Sequence, residues 1–184
     1  MNLEPRETAK ALRMGGAFSD ALEHRNPNAV LDYYVNNVND RYIPNIGVEI
    51  SMVRALADTY ISNIDDPTVR REVEFGPFQL GHGYHELGYF DGIKHLEDGI
   101  LLVENKLKTW MRDTDVEALA IDPQVSAYVH AIHLKYGMAY DKIKVEYHVS
   151  LKPALRQRKD ESVANFATRV SEEVYENPLK YHRV

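Results

Sequence analysis

The chain runs Gly88-Tyr89-Phe90-Asp91-Gly92-Ile93 and then, after Leu96-Glu97-Asp98-Gly99, Ile100-Leu101-Leu102-Val103-Glu104-Asn105-Lys106. The Asp-Gly pair between the two segments is a strong turn signal, so an antiparallel hairpin is predicted. The second segment starts apolar on both faces, as a central buried strand does. Its end carries Glu104 and Lys106 on one face, because side chains two positions apart in a strand point the same way. This hairpin therefore predicts a sheet whose buried strand ends in charged groups.

The register of the hairpin decides whether Asp91 joins Glu104 and Lys106. With Glu97-Asp98 as a two-residue turn, Asp91 lies directly opposite Glu104. With Asp98-Gly99 as the turn, Asp91 lies opposite Lys106 and diagonal to Glu104. Both registers place the three groups on one face, within roughly 5–8 Å of each other. A three-residue loop would break this arrangement.

Asp91, Glu104 and Lys106 form a candidate metal site. Ionised groups at the end of a buried strand are costly unless they are paired or bound to metal. Two carboxylates at this separation suit Mg²⁺ or Mn²⁺, which prefer oxygen ligands. A metal there polarises a phosphate and activates water, while the lysine orients that water or neutralises transition-state charge. An ordinary ion pair at a solvated hairpin end would give the same short pattern.

The rest of the chain shows helical and strand patterns around this hairpin. Residues from about Glu7 to Ile64 have mostly helical spacing, with an interruption predicted at Gly15-Gly16. The other predicted elements are strands at Glu72 to Leu80, Tyr84 to Ile93 and Ile143 to Leu151, a helix from the N-cap Asp122 to about Gly137, and a helix from about Glu161 to Tyr175. This order predicts an α/β fold with a small central mixed β-sheet flanked by α-helices.

Composition is that of a globular protein of one domain over residues 1–184, with 44% hydrophobic and 27% charged residues. No apolar run approaches the roughly 20 residues that cross a bilayer, and no signal peptide is expected. The chain has no cysteine, which excludes disulfides and an iron–sulfur cluster and agrees with a cytoplasmic setting. A net charge of −6 argues more strongly against a DNA-coating protein than against a metal nuclease. The carboxylates that bind metal in a nuclease count as negative charge until the cation is bound.

Two further segments offer candidate DNA contacts. Gln124 and Tyr128 lie four residues apart, on one face of the predicted helix and away from its apolar stripe. The segment after the last predicted strand concentrates positive charge, and Lys152, Arg156 and Arg158 are candidates to hold phosphates. An exposed polar helix face and a solvated loop are the simpler interpretations. Glu74 and Glu86, on predicted neighbouring strands, are further candidates to face the site.

Taken together, these segments resemble the RecB-like branch of the PD-(D/E)XK nuclease superfamily, and within it the short phage-encoded exonucleases. The resemblance spans roughly Gly15 to the C-terminus and rests on Gly88 to Ile93, Leu102 to Lys106, Asp122 to Tyr128, Leu151 to Arg156 and Asn177 to Tyr181. It implies that Asp91 and Glu104 ligate the metals and that Lys106 is the superfamily lysine. It also implies that the Asn105 carbonyl is a further ligand candidate and that Gln124 and Tyr128 form the Gln-x-x-x-Tyr motif beside DNA.

The chain departs from this family pattern in two places. Relatives often place a histidine ligand on the first core helix, where this chain has Ser19. The fourth ligand is then lost, replaced by Asp20, or supplied by Glu23. Several relatives also carry a cysteine-bound iron–sulfur cluster, which this chain cannot form. That absence favours the smaller phage type over the CRISPR-adaptation and helicase–nuclease members.

The first functional hypothesis is an Mg²⁺- or Mn²⁺-dependent deoxyribonuclease, an exonuclease of phage recombination or repair in the host cytoplasm. A phage recombinase or a single-strand-binding protein is the candidate protein partner. The second hypothesis is a non-catalytic DNA-binding or inhibitory protein of the same fold, which the serine at Ser19 keeps open. The third is a structure-selective endonuclease. Cleavage polarity, strand preference and oligomeric state stay open at this stage.

Overall fold

The computed structural model of this protein describes residues 10–38, 43, 45–112, 117–118 and 121–184. The helices are α1 (Lys10–Glu23), α2 (Ala29–Asn37), α3 (Ile46–Asn63), α4 (Pro123–Tyr136), α5 (Val163–Glu176) and α6 (Pro178–Tyr181), with a 3₁₀ turn at Tyr140–Lys142. The strands are β1 (Arg70–Gly81), β2 (Tyr84–Leu96), β3 (Gly99–Lys108), β4 (Ile143–Leu151) and β5 (His182–Arg183). They form one mixed sheet in the order β1-β2-β3-β4-β5. The predicted α/β fold with flanking helices is thereby confirmed.

The chain divides into two compact units. The first falls within Met1–Ile64 and Ser150–His182, and the second within Asp65–Val149 and Arg183–Val184. The assignment of residues 1–184 to one nuclease domain stays a prediction. Across the part of the chain that the structure describes, no helix is both long and apolar enough to cross a membrane.

Helix α1 of the first unit runs unbroken through Gly15-Gly16, so the predicted interruption is wrong. Gly16 is a site of close packing rather than of a turn. A Cβ added at Gly16 would lie 2.1 Å from the hydroxyl oxygen of Tyr33 on α2. Only glycine lets the two helices approach this closely, and that contact offsets its low helix propensity.

The interior of the first unit contains a buried charged cluster as well as apolar side chains. Arg13 of α1 donates two hydrogen bonds of 2.9 Å to the carboxylate of Glu49 on α3. The hydroxyl of Tyr34 donates to the same carboxylate at 3.2 Å, and Lys10 Nζ lies 3.4 Å from it. Arg13 and Glu49 are both buried. The hydrogen bonds between the two groups offset part of the cost of burying them.

In the second unit, α4 packs against the face of the sheet formed by β1, β2 and β3. Its core residues are Val73, Phe75, Phe90, Ile93, Ile100, Leu102, Val125, Ala131 and Ile132. The helix begins as predicted, because the Asp122 side chain accepts the N–H of Gln124 and Pro123 follows it. It ends at Gly137, whose left-handed φ of 64° closes the last turn. This packing fixes where Gln124 and Tyr128 stand relative to β3.

The last long helix, α5, begins two residues later than predicted. The Ser162 side chain accepts the N–H of Asn165, so Ser162 is the N-cap and the helix starts at Val163. Glu161 lies before that cap, where its carboxylate binds Arg169 through two bonds of 2.7 Å. The apolar stripe of the helix, Phe166, Val170 and Val174, is buried as its spacing predicted.

Candidate active site

The β2–β3 hairpin has the register in which Glu97-Asp98 is the turn. The pairs run from Leu96↔Gly99 to Gly92↔Val103. The next residues along each strand are Asp91 and Glu104, so the two carboxylates leave the sheet side by side. The prediction that an even loop brings them to one face is therefore confirmed for this hairpin.

Glu104 is the most buried carboxylate of the site, with 1% of its surface exposed. Its Oε1 lies 2.6 Å from the Nζ of Lys106. Its Oε2 is also buried and has no hydrogen-bond partner among the described residues. A carboxylate oxygen left in this state is costly, because burial removes its water without replacing the lost interaction.

Lys106 connects the strand to helix α4. Its Nζ donates to the side-chain oxygen of Gln124 at 2.7 Å and lies 3.7 Å from Oδ2 of Asp122. The Gln124 amide nitrogen in turn donates to the Tyr128 hydroxyl at 2.9 Å. The structure thus joins Glu104, Lys106, Gln124 and Tyr128 into one continuous chain of polar contacts.

Asp91 is tied to the backbone of β3. Its Oδ2 accepts the N–H of Asn105 at 3.0 Å. Burial raises the pKa of Asp91, while the Asn105 hydrogen bond and the charges of Lys106 and Arg71 act to lower it. This bond fixes the carboxylate beside the backbone of Asn105, the residue whose carbonyl the family resemblance makes a ligand candidate.

The proton affinity of Glu104 is raised by its surroundings. Burial, followed by the neighbouring charge of Asp91, raises the pKa of Glu104 to about 7. Lys106 acts in the opposite direction through its hydrogen bond and charge. A half-buried carboxylate beside a buried one concentrates negative charge, which a bound cation would stabilise.

Three residues that the sequence analysis did not assign to the site interact electrostatically with its members. Asp122, predicted only as an N-cap, raises the pKa of Glu104 by its charge. Burial, followed by the charges of Asp122 and Glu104, raises the pKa of Tyr147 on β4 to about 12. The charge of Glu72 on β1 acts to raise the pKa of Tyr128, whose largest cause is burial.

Glu72 lies next to Asp91 across the β1–β2 ladder. The residues that flank Glu72 pair with those that flank Asp91, in the pairs Arg71↔Gly92 and Val73↔Phe90. Glu72 has a left-handed backbone with a φ of 46°, which is rare for a residue with a Cβ. The earlier candidates Glu74 and Glu86 stand opposite Tyr89 and Phe78 instead, and Glu74 is exposed.

The basic candidates belong to the first compact unit. Lys152 is half-buried, and burial, followed by the charge of Lys10, lowers its pKa. Arg156 is exposed, and its carbonyl accepts a 3.0 Å hydrogen bond from Arg169. The Arg158 N–H donates to Glu161 at 2.9 Å. Their assignment to phosphate binding stays a prediction.

The residues proposed in place of the family histidine also lie in the first unit, on and after α1. Ser19 and Asp20 are half-buried and Glu23 is exposed. Asp20, Glu23 and His24 bring their ligand atoms within 4.8 Å of one another. His24 was not among the sequence candidates, although its spacing of four from Asp20 gives the same helix face. The Nδ1 of His24 already contacts the Asp20 carbonyl oxygen at 2.9 Å.

The donor set around Glu104 fits a hard divalent cation. The available ligands are carboxylate oxygens of Asp91 and Glu104, the type that Mg²⁺ and Mn²⁺ prefer. The buried Oε2 of Glu104, which has no partner in the described part of the chain, is the specific atom that such an ion would satisfy. Comparisons with protein-family models, curated proteins and solved structures found no match to this chain.

Proposed function

We propose that this protein is an Mg²⁺- or Mn²⁺-dependent deoxyribonuclease of the PD-(D/E)XK type that hydrolyses DNA phosphodiester bonds. The observation that carries the proposal is Glu104. It is a buried carboxylate beside a second carboxylate, with one oxygen on Lys106 and the other without a partner among described residues. Buried polar atoms are normally hydrogen-bonded, so a buried carboxylate oxygen without a partner is an atom that a metal ion would satisfy.

The residues divide the reaction among themselves. When bound, Mg²⁺ or Mn²⁺ supplies Lewis-acid activation of the scissile phosphate and of the attacking water. Asp91 and Glu104 would hold the ion, and Asn105, the residue after Glu104, would offer its carbonyl oxygen. Hydrolysis forms a bond from the water oxygen to phosphorus and breaks the bond to one sugar oxygen, which leaves as a hydroxyl. The product strand keeps a phosphate monoester.

Lys106 neutralises negative charge as the phosphate passes through its transition state. Its Nζ is already directed by Glu104 and Gln124, so the ammonium needs little reorganisation when substrate binds. Gln124 holds Lys106 with its oxygen and Tyr128 with its nitrogen, which fixes the orientation of the amide. The ring of Tyr128 is held edge-on to Phe90 at 5.6 Å between centroids. The whole set is therefore anchored to the core of the second unit.

The substrate that we assign is DNA with free ends. The protein would act on it as an exonuclease in phage recombination or repair. The support for this assignment is the family resemblance of the quoted motifs together with the site above. The same resemblance supports a cytoplasmic setting and a recombinase or single-strand-binding protein as partner.

The test is cleavage of end-labelled linear duplex, linear single-stranded DNA and closed circles, each with Mg²⁺, Mn²⁺ or EDTA. Wild type is expected to release label from linear DNA only with metal. Glu104→Gln, Asp91→Asn and Lys106→Met should each lose roughly 10²–10³-fold in rate. These variants keep side-chain size, so thermal melting should show folded protein.

Lys94→Met is the matched control for Lys106→Met. Lys94 is also a sheet lysine in a 2.6 Å ion pair, with Asp66, but it lies outside the candidate site. Its loss should leave the cleavage rate within about twofold, which is within the usual range for a surface ion pair. Equal losses in the two lysine variants would contradict the assigned role of Lys106.

The two other hypotheses give different results in the same assay. Cleavage of closed circles would indicate the endonuclease. DNA binding without cleavage by any metal-loaded, folded wild type would contradict the nuclease proposal and favour the non-catalytic protein.

A further inference from the structure

Trp110 is an exposed aromatic side chain just beyond the strand that carries the candidate site. It is the only tryptophan of the chain and 54% of its surface is exposed. Strand β3 ends at Lys108, so Trp110 follows Glu104 and Lys106 along the same segment. Single exposed apolar residues are common on proteins, so exposure alone identifies nothing. The surroundings of Trp110 are what distinguish it.

The indole ring of Trp110 is paired with a cation. The guanidinium carbon of Arg112 lies 4.4 Å from the ring centroid. This contact restrains the ring and places a positive charge at its edge of the protein. An aromatic ring beside an arginine is the combination that binds unpaired nucleotides, since the ring stacks on a base and the cation attracts the backbone.

The local charge of this segment also suits a nucleic acid. Asn105 to Arg112 contains Lys106, Lys108 and Arg112 and no carboxylate, in a chain whose net charge is −6. A basic run next to proposed phosphodiester chemistry attracts the phosphates of a strand that extends from the cleavage point. Lys106, Lys108 and Arg112 therefore flank Trp110 along the segment that leaves the candidate site.

The length of chain between Lys106 and Trp110 limits how far from the scissile phosphate Trp110 could contact a base. Trp110 lies four positions after Lys106, which corresponds to at most roughly 13 Å of extended chain. At about 3.4 Å per nucleotide along a stacked strand, this reaches up to roughly four nucleotides. We infer that Trp110, held by Arg112, stacks on an unpaired base a few nucleotides from the scissile phosphate and directs the protein to single-stranded DNA. The inference rests on the proposed nuclease function for its substrate.

The first measurement uses the fluorescence of this single tryptophan. The full-length wild type is titrated in EDTA with a short single-stranded oligothymidine and with a relaxed, covalently closed circular duplex, which has no unpaired bases. Stacking should quench the emission with the single strand and leave it nearly unchanged with the closed duplex. No quenching by the single strand, or equal quenching by both DNAs, would overturn the inference.

The second measurement locates the stacked base. Binding of a labelled single strand is followed by anisotropy while one nucleotide at a time is replaced by an abasic residue. Wild type should lose roughly 5- to 100-fold in affinity at one position within a few nucleotides of the cut. Trp110→Ala should show that loss with the intact strand and no further loss at the same abasic position. Additive losses, or uniform losses along the strand, would contradict stacking by Trp110.

Two variants separate stacking from a structural role. Trp110→Phe keeps an aromatic face and should retain most of the affinity that Trp110→Ala loses. Arg112→Lys keeps the charge but not the planar contact with the ring, so its loss should be smaller than that of Trp110→Ala. Because Trp110 is exposed, all three variants should melt at the temperature of wild type.

The stacking site and the nuclease activity can fail independently, and the two failures give different results. Loss of single-strand affinity in Trp110→Ala, with no metal-dependent cleavage by wild type, would support the stacking site and reject the nuclease. Cleavage that depends on Glu104 but shows an unchanged KM for single strands in Trp110→Ala would support the nuclease and reject the stacking site.

Discussion

Lys106 and Glu104, two positions apart on one strand, touch each other through a 2.6 Å contact between Nζ and Oε1. The contact uses one oxygen of a carboxylate that is otherwise buried, and it uses one proton of an ammonium that also binds Gln124. The lysine is thus held in place without consuming the second oxygen of Glu104. This division of the carboxylate is the basis of the metal assignment.

Glu104→Gln is expected to stabilise the metal-free protein at alkaline pH. The folded-state pKa of Glu104 is raised to about 7 by burial and by Asp91, above its ordinary 4.5. The stabilising contribution of this group is therefore present below pH 4.5 and is lost as pH rises through about 7. Glutamine, which cannot ionise, should gain on the order of 2–3 kcal/mol over wild type at pH 8 and little at pH 4.5.

Urea unfolding in EDTA measures this difference. Glu97→Gln is the matched control, because Glu97 is an exposed glutamate in the turn of the same hairpin. It should shift stability by less than about 0.5 kcal/mol at either pH. Adding Mg²⁺ at pH 8 should stabilise wild type more than Glu104→Gln. A glutamine variant that is less stable than wild type at pH 8 would refute this account of Glu104.

Glu72→Gly is expected to increase stability and reduce cleavage. Glu72 holds a left-handed φ of 46°, which costs a residue with a Cβ about 1 kcal/mol and costs glycine almost nothing. The variant should gain roughly 0.5–1 kcal/mol in thermal or chemical unfolding. Glu72→Gln keeps the strained backbone and removes only the charge, so it should lose cleavage without that gain. Equal stability of the two variants would show that the backbone at Glu72 is unstrained.

Arg13→Met is expected to destabilise the first unit strongly. Removing one partner of a buried ion pair leaves the other charge uncompensated, at a typical cost of about 3–5 kcal/mol. Among the described residues, Glu49 would keep the Tyr34 hydroxyl and Lys10 as partners. Replacing both residues, Arg13→Met with Glu49→Met, should cost less than the sum of the single changes. Additive losses in a double-mutant cycle would mean that the two side chains are not coupled.

Stability is also expected to fall in mild acid because of His182. This ring contacts the hydroxyls of Ser150 and Thr59 at 2.9 Å each, and burial lowers its pKa to about 4 from 6.5. The unfolded chain takes up a proton below pH 6.5 while the folded protein does so only near 4, so the folded state loses stability as pH falls across that window.

The size of this effect at pH 5 is about 2 kcal/mol relative to pH 7. Glu104 changes in the opposite direction over the same range, so the comparison must be made between each variant and wild type. His182→Gln should show a smaller loss between pH 7 and pH 5 than wild type in urea unfolding. An identical pH dependence in the two proteins would exclude His182 as its source.

The hairpin and helix α4 could be predicted from sequence because local chemistry determines both. An Asp-Gly turn, an even loop and a buried apolar strand fix the faces of β2 and β3. The N-cap Asp122, with Pro123 after it, fixes the start of α4. Since Gln124 and Tyr128 follow from that start, most of the site came from two short segments of chain.

The placement of Glu72 and the role of Gly16 could not be predicted from local sequence patterns. The position of Glu72 depends on the β1–β2 pairing, whose register shifts between Phe75 and Phe78. A shift of register changes every residue pair beyond it, counted from the turn. It cannot be detected from the alternation of apolar and polar residues along one strand. Gly16 was interpreted as a break because glycine is a poor helix former, whereas its role is set by Tyr33 on another helix. Both outcomes depend on contacts between segments distant in sequence.

The two-residue turn at Glu97-Asp98 limits which insertions the hairpin can accept during evolution. Because side chains alternate along a strand, one inserted residue would slide Asp91 out of step with Glu104 and reverse which face each presents. Two inserted residues would restore the match. Loop-length variants that keep Asp91 beside Glu104 should therefore differ by even numbers of residues. The parity of the turn length is thus a constraint on the candidate site.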